Sequence, residues 1–260
     1  MQINTIHNCD CVQGMKTLED ESVDLTVTSP PYDNLRKYNG FDWNFEETAK
    51  ELYRITKQGG VVVWVVGDST VKGSETGTSF KQALYFKECG FNLHDTMIYE
   101  KAQACFGSNL CYLQSFEYMF VFSKGKPKTI NLIRDRENKQ YGKMSCAKHS
   151  AYWEKGNESW DRVIRDIPKL GKRKNIWIYS VGNSGVKGHP AVFPEQLAKD
   201  HIISWSNEGD LVLDPFMGSG TTAKMALETN RNFIGFEISK EYCEIAKKRI
   251  NEFKGQQLCL

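Results

Sequence analysis

Long apolar runs are missing from this sequence. The longest, Val61-Val62-Val63-Trp64-Val65-Val66, has six residues, about a third of what a membrane-spanning helix requires. The opening residues Met1-Gln2-Ile3-Asn4-Thr5 contain no basic stretch followed by an apolar one, so no secretory signal is expected. The eight cysteines, at 9, 11, 89, 105, 111, 146, 243 and 259, form no C-x-x-C and have no matching His pair at zinc spacing. No metal site is expected. A soluble cytosolic protein follows, with cysteines serving as small apolar core residues. With 40% hydrophobic and 25% charged residues, disordered and collagen-like classes are excluded. Its 260 residues suit one α/β domain with an insertion.

Excess charge of one sign is also scarce, since the chain carries only +2. The distribution is uneven, however. Residues 124–175 hold fifteen Lys/Arg against six Asp/Glu, a net +9 that leaves −7 for the rest. A basic segment set in an acidic body suits a polyanionic partner, although a solvated lysine-rich insertion has the same composition.

Two stretches of alternating strand and helix flank that segment. In the first, Ile3–His7 and Val23–Thr28 read as strands, the latter stopping at Ser29-Pro30-Pro31. Asn44 with Glu47 opens a helix carried by Ala49, Leu52 and Tyr53 as far as Gly59-Gly60. Val61–Val66 reads as a strand buried on both faces. Ser79 with Gln82 opens a further helix closed by Gly90, and Glu117–Ser123 is another strand. In the second, a helix from Pro194 to Trp205 turns Leu197, Ile202 and Trp205 inward. The strand Leu211–Leu213, a glycine turn, a helix, the strand Asn232–Glu237 and a last helix capped by Ser239 follow. This alternation predicts an α/β fold with a doubly wound, mostly parallel sheet. Residues 1–123 and 186–260 form its main domain, and 124–185 an insertion.

The chemistry-bearing motifs sit where these strands end. Asp214-Pro215-Phe216-Met217-Gly218-Ser219-Gly220 joins a buried strand to a helix, so Gly218 and Gly220 let the backbone approach a ligand near unpaired helix N–H groups. Glu237 ends the next strand, placed to accept both hydroxyls of an adenosine ribose. Neither G-x-G-x-x-G nor a P-loop lysine is present. Asp214 at the mouth of the turn disfavours a pyrophosphate and welcomes an ammonium group. The ligand favoured is S-adenosylmethionine (SAM).

Thr28-Ser29-Pro30-Pro31-Tyr32 supplies mainly acceptors, because prolines lack N–H. The Ser29 hydroxyl and the Pro30 carbonyl can grip both hydrogens of a planar amino group, and Tyr32 can stack on its ring. Asp68 reads as a pocket residue or a helix cap. Trp153, Trp160 and Trp177 read as the small lobe's own core rather than a face that packs on a polyanionic partner.

Ser29–Tyr32 and Asp214–Gly220, with Phe233-Ile234-Gly235-Phe236-Glu237 after them, resemble the DNA amino-methyltransferases that modify N4 of cytosine or N6 of adenine. The order, catalytic loop, then target recognition, then SAM loop, is similar to the family's beta class. The resemblance implies a Rossmann-like methyltransferase fold, SAM as cofactor and base flipping of double-stranded DNA. A cognate restriction endonuclease and a homodimer are implied as possible partners. It implies that Ser29, Pro30, Pro31 and Tyr32 form the catalytic loop. Asp10 would contact the adenine; Asp214, Phe216, Gly218 and Gly220 the methionine side; Glu237 the ribose; and His189 the segment closing over the methionine part. Residues 124–185 would recognise the target.

Asn230-Arg231 stands where Gly-Arg is usual, and Ser29 where adenine enzymes carry Asp or Asn. Cytosine N4 is therefore favoured, with adenine N6 the alternative. An RNA or small-molecule amino-methyltransferase, and a noncatalytic nucleic-acid-binding protein, are the rival readings. No Pro-Cys pair occurs, and attack on a base by a cysteine nucleophile is not expected.

The charge map yields a direct prediction. Replacing Lys172, Arg173 and Lys174 together by Ala should weaken DNA binding and flatten its salt dependence, because fewer phosphates are neutralised. SAM binding should persist. Titrations at several salt concentrations check this, and identical slopes would reduce the cluster to a solubilising surface.

Overall fold

The computed structural model describes residues 1–31, 43–103, 112–148, 162–180 and 194–257. In chain order the elements are β1 (Thr5–His7), α1 (Cys11–Lys16), β2 (Val23–Thr28), α2 (Phe45–Ile55), β3 (Thr56–Val66), β4 (Thr70–Val71), β5 (Ser74–Glu75) and α3 (Thr78–Glu88). There follow β6 (Asn92–Lys101), β7 (Phe116–Ser123), β8 (Arg134–Glu137), β9 (Met144–Lys148), β10 (Arg162–Asp166), β11 (Leu170–Lys172) and β12 (Ile176–Tyr179). The chain continues through α4 (Glu195–Trp205), β13 (Leu211–Asp214), α5 (Thr221–Glu228), β14 (Asn232–Phe236) and α6 (Lys240–Gln257).

Eight strands form one sheet in the order β1-β14-β13-β2-β3-β7-β6-β12. All run parallel except β7, which is antiparallel to both β3 and β6. This is the doubly wound, mostly parallel α/β architecture that the alternation of elements predicts.

Central strands covered on both faces must be apolar on both faces. Val61 to Val66 satisfy this, each at most 1% exposed. Val62, Trp64 and Val66 pack in one cluster with Leu52, Ile55 and Phe86 from α2 and α3. The alternating Val61, Val63 and Val65 point to the other side.

Local signals explain several element ends. The Asn44 side chain accepts the Glu47 N–H at 3.1 Å and caps α2, as expected. The helix stops at Ile55, earlier than Gly59. Thr56 turns extended and bonds its hydroxyl to Leu52 O at 2.6 Å, satisfying a terminal carbonyl. The expected Ser79–Gln82 opening is replaced by a start at Thr78 after Gly77. Gln82 instead accepts the buried indole N–H of Trp64 at 2.8 Å, a bond that a buried tryptophan needs. Ser79 binds Asp68 through its backbone N–H at 2.9 Å and through its hydroxyl. Of the two readings for Asp68, the structure shows the helix cap.

The chain divides into two compact units, Met1–Asn131 with Asn175–Leu260, and Leu132–Lys174. The smaller one is narrower than the 124–185 insertion, because Ile176–Tyr179 pairs with Ile98–Lys101 in the main sheet. Trp177 accordingly lies in the larger unit, 6% exposed against the His201 ring at 4.6 Å. This corrects its expected place in the small lobe's core. Trp153 and Trp160 lie outside the described residues.

The smaller unit is a nested antiparallel ribbon. Its inner ladder pairs β9 with β10 and its outer ladder pairs β8 with β11. Asn138 N–H to Lys169 O at 3.0 Å and Ile167 N–H to Lys143 O at 3.1 Å lie between them.

Phe86 is the centre of the aromatic layer. It is fully buried, stacked on Phe122 at 4.5 Å and edge-on to Trp64 at 5.0 Å. Phe86→Ala should destabilise the larger unit by about 3–5 kcal/mol, read as a lower urea midpoint.

Candidate active site

The sheet order places β1, β14, β13 and β2 side by side. All four run parallel, so their carboxyl ends share one edge. That edge spans three strand spacings, roughly 14 Å. It gathers Asp10 after β1, Glu237 after β14, the Asp214–Gly220 turn at β13, and Ser29-Pro30-Pro31 after β2. Tyr32 and His189 lie outside the described residues.

Short bonds lace these loops together. The Asn8 amide donates to Glu237 O at 2.8 Å, and Glu237 N–H donates to His7 O at 3.1 Å. One oxygen of the Glu237 carboxylate accepts Gly218 N–H and the other Ser239 N–H, each at 2.8 Å. Asp214 Oδ1 accepts the Thr28 hydroxyl at 2.6 Å and the Phe216 N–H at 3.0 Å. Asp10 caps α1 by accepting Gln13 N–H at 3.0 Å. Pro30 is buried, and Ser29 and Pro31 are half-buried.

The electrostatics separate this edge from its surroundings. Burial drives the Asp214 carboxyl up to about 6 against the hydroxyls of Thr28 and Thr222 and the Phe216 N–H, and the charge of Glu237 adds to the rise. Burial also raises Glu237, opposed only by backbone N–H groups. No cation balances either group among the described residues. Glu195, at the start of α4, is the contrast. Burial pushes it up, but Lys224 and Arg249 outweigh that and hold it below its ordinary value.

Two buried carboxylates without a cation favour a ligand that brings its own positive charge and hydroxyls. SAM, with ammonium, sulfonium and ribose, fits that donor set.

The two glycines differ. Gly218 has φ 51° and offers its N–H to Glu237. Gly220 has φ 83°, and a Cβ there would meet Ala246 Cβ at 2.9 Å. Packing against α6 therefore requires Gly220, a reason distinct from the ligand approach expected from the sequence.

Several residues around the site carry no motif signal. Trp43 packs edge-on to Phe216 at 5.0 Å beside an open cleft that it lines with Asn44, Phe45 and Glu46. Arg249 of α6 supports the turn from behind, donating to Ser219 O at 3.1 Å and to the Thr221 hydroxyl at 3.0 Å. Thr28 and Asn8 adjoin motif residues, and adjacency was the only available clue to them. Burial pushes the Cys11 thiol up to about 12 and that of Cys243 to about 11, so neither supplies a thiolate at neutral pH.

A doubly wound sheet with a glycine turn and buried acids at consecutive strand ends defines the class, a SAM-dependent methyltransferase. Comparison with known proteins narrows it. Residues 23–248 match the family model described as DNA methylase. The chain is 60% identical over 247 residues to the orphan methyltransferase M.BamHII of Bacillus amyloliquefaciens, covering 92% of each.

Among solved structures, the M1.HpyAVI–SAM complex superposes with TM-score 0.61 at 25% identity, over 94% of this chain and 98% of that one. The cytosine-N4-specific PvuII DNA methyltransferase superposes with TM-score 0.66 at 20% identity, over 96% and 91%, a likeness of fold. The chain belongs to the DNA methylase family. It is a SAM-dependent DNA amino-methyltransferase. Among the described residues no helix is long and apolar enough to cross a membrane.

The raised Asp214 carboxyl has a consequence for stability. Its ordinary value is 3.8 and its folded value about 6. Between these the folded state binds the extra proton, so this group makes stability fall as pH rises from about 4 to about 6. Above that the penalty is complete. Asp214→Asn should therefore stabilise the SAM-free protein at pH 7.5, by up to about 3 kcal/mol, with the gain vanishing below pH 4. Melting curves across that pH range check the sign.

Proposed function

We propose that the enzyme methylates N4 of cytosine in double-stranded DNA, with Ser29-Pro30-Pro31-Tyr32 holding the flipped base. The observation that carries this reading is the seating of the Ser29 loop on the strand beside Asp214, joined to it by the Thr28–Asp214 bond of 2.6 Å. The base loop and the cofactor loop are thereby neighbours. Ser29, in place of the Asp or Asn of adenine enzymes, supports cytosine over adenine N6.

In this reading Asp214 takes the ammonium of SAM, Glu237 the ribose hydroxyls, and Asp10 the adenine edge. Phe216, Gly218, Gly220 and His189 complete the methionine side. When bound, SAM supplies an electrophilic methyl group on a sulfonium. The protein's task is to make the amino nitrogen a better nucleophile and to aim it. The Ser29 hydroxyl and Pro30 carbonyl accept the two amino hydrogens and draw the nitrogen lone pair out of conjugation with the ring. Asp214 and Glu237 would hold SAM, which would supply the methyl group, and the methylated amino group would release its surplus proton to solvent. Tyr32 stacks on the base and keeps it in line.

The basic ribbon within 124–185 is proposed to recognise the target and hold the distorted duplex. The relative M.BamHII is named an orphan methyltransferase, which supports an enzyme acting without a cognate restriction endonuclease. A homodimer and a cytoplasmic location complete the proposal.

Two experiments test it. Ser29→Ala should leave SAM affinity near wild type and lower methyl transfer roughly 10²-fold, the scale of one lost transition-state acceptor. Glu237→Ala should abolish SAM binding. Modification-aware sequencing of DNA from expressing cells should show N4-methylcytosine at one sequence, whereas N6-methyladenine would reverse the choice of base.

A further inference from the structure

The last register pair between β2 and β13 is Thr26 with Leu213. Beyond it, side-chain bonds tie β2 to α5 and to the last residue of β13. The Thr222 hydroxyl donates to Val27 O at 3.3 Å, and the Thr28 hydroxyl donates to Asp214 Oδ1 at 2.6 Å. Thr28 is fully buried and Asp214 is 5% exposed. The same Asp214 oxygen accepts the Phe216 N–H at 3.0 Å. One carboxylate oxygen therefore holds the first turn of the cofactor loop and the last residue before Ser29.

A hydroxyl donating to a carboxylate in a water-excluded site makes a short, strong bond with narrow geometry. Packing alone could be supplied at this position by valine, which has the same shape and branching. The hydroxyl is what links the loops.

We propose that Thr28 is a positioning residue whose hydroxyl sets the catalytic loop against the cofactor loop, so that seating of the methyl donor at Asp214 fixes where Ser29 holds the amino group. The inference rests on the reading of Ser29 as the amino-group acceptor. It assigns to Asp214 a second task, fixing the base loop as well as facing the cofactor.

The test compares Thr28→Val, which keeps shape and loses the donor, with Thr28→Ser, which keeps the donor. Single-turnover methyl transfer is measured at pH 8.5 with saturating SAM and DNA, and SAM affinity is measured in parallel. Thr28→Val should lower the saturated rate about 10- to 100-fold, the scale of a small misplacement of a reacting group. SAM affinity should stay close to wild type, and Thr28→Ser should restore the rate. In a Ser29→Ala background Thr28→Val should cost little, because both substitutions act through one contact.

An undiminished rate in Thr28→Val overturns the coupling, as does failure of Thr28→Ser to restore it. Full additivity with Ser29→Ala does the same. Ser29→Ala with an undiminished rate is a separate result: it overturns the reading of the loop, and the coupling with it. If Thr28→Val loses its cooperative melt, Thr28→Cys, whose thiol is a weak donor, gives the same comparison.

Discussion

A carboxylate with no counter-ion among the described residues stands where β2 and β13 cease to pair. Asp214 accepts the Thr28 hydroxyl and the Phe216 N–H there, which lower the cost of burying its charge without cancelling it. Glu195, at the start of α4, has Lys224 at 2.9 Å and Arg249 as partners and lies below its ordinary value. The two acids have opposite electrostatics. Lys224 and Arg249 neutralise Glu195, and no cation among the described residues neutralises Asp214. A buried charge without a partner is costly, and functional sites are where such arrangements concentrate.

The rest of the larger unit keeps that edge rigid. Gly14 and Gly235 admit the Phe236 ring and the Met217 side chain where a Cβ would stand at 2.4 and 2.2 Å. α1 and the Asp214–Gly220 turn are thereby drawn onto β14. Phe216 continues the aromatic layer outward through Trp43 and Trp64. A site built on four neighbouring strand ends inherits the stiffness of the sheet, which suits a reaction dependent on in-line approach.

The smaller unit follows a different logic. Its described side chains are mostly exposed, and Arg173 is paired with Asp135 at 2.5 Å near the surface. Such a pair contributes little to stability.

Much of the site was legible in the sequence because its signals are local. A capping pair at Asn44 and Glu47, a run of six apolar residues, a Ser-Pro-Pro stop and a glycine turn between a strand and a helix each act over a few residues. The elements they specify are present. β6 escaped notice because His94, Asp95 and Glu100 interrupt its pattern, and β12 because it lies in the stretch 124–185 read as an insertion. The antiparallel course of β7, the identity of neighbouring strands and the inclusion of Trp177 in the main core depend on tertiary packing. So do the bond from Thr28 to Asp214, between residues 186 positions apart, and the raised Asp214 carboxyl. Sequence alone determined which chemical groups stand at the strand ends, since short-range periodicity and turn chemistry suffice for that. Tertiary structure decided which groups meet and in what protonation state, because both depend on burial and on strand order.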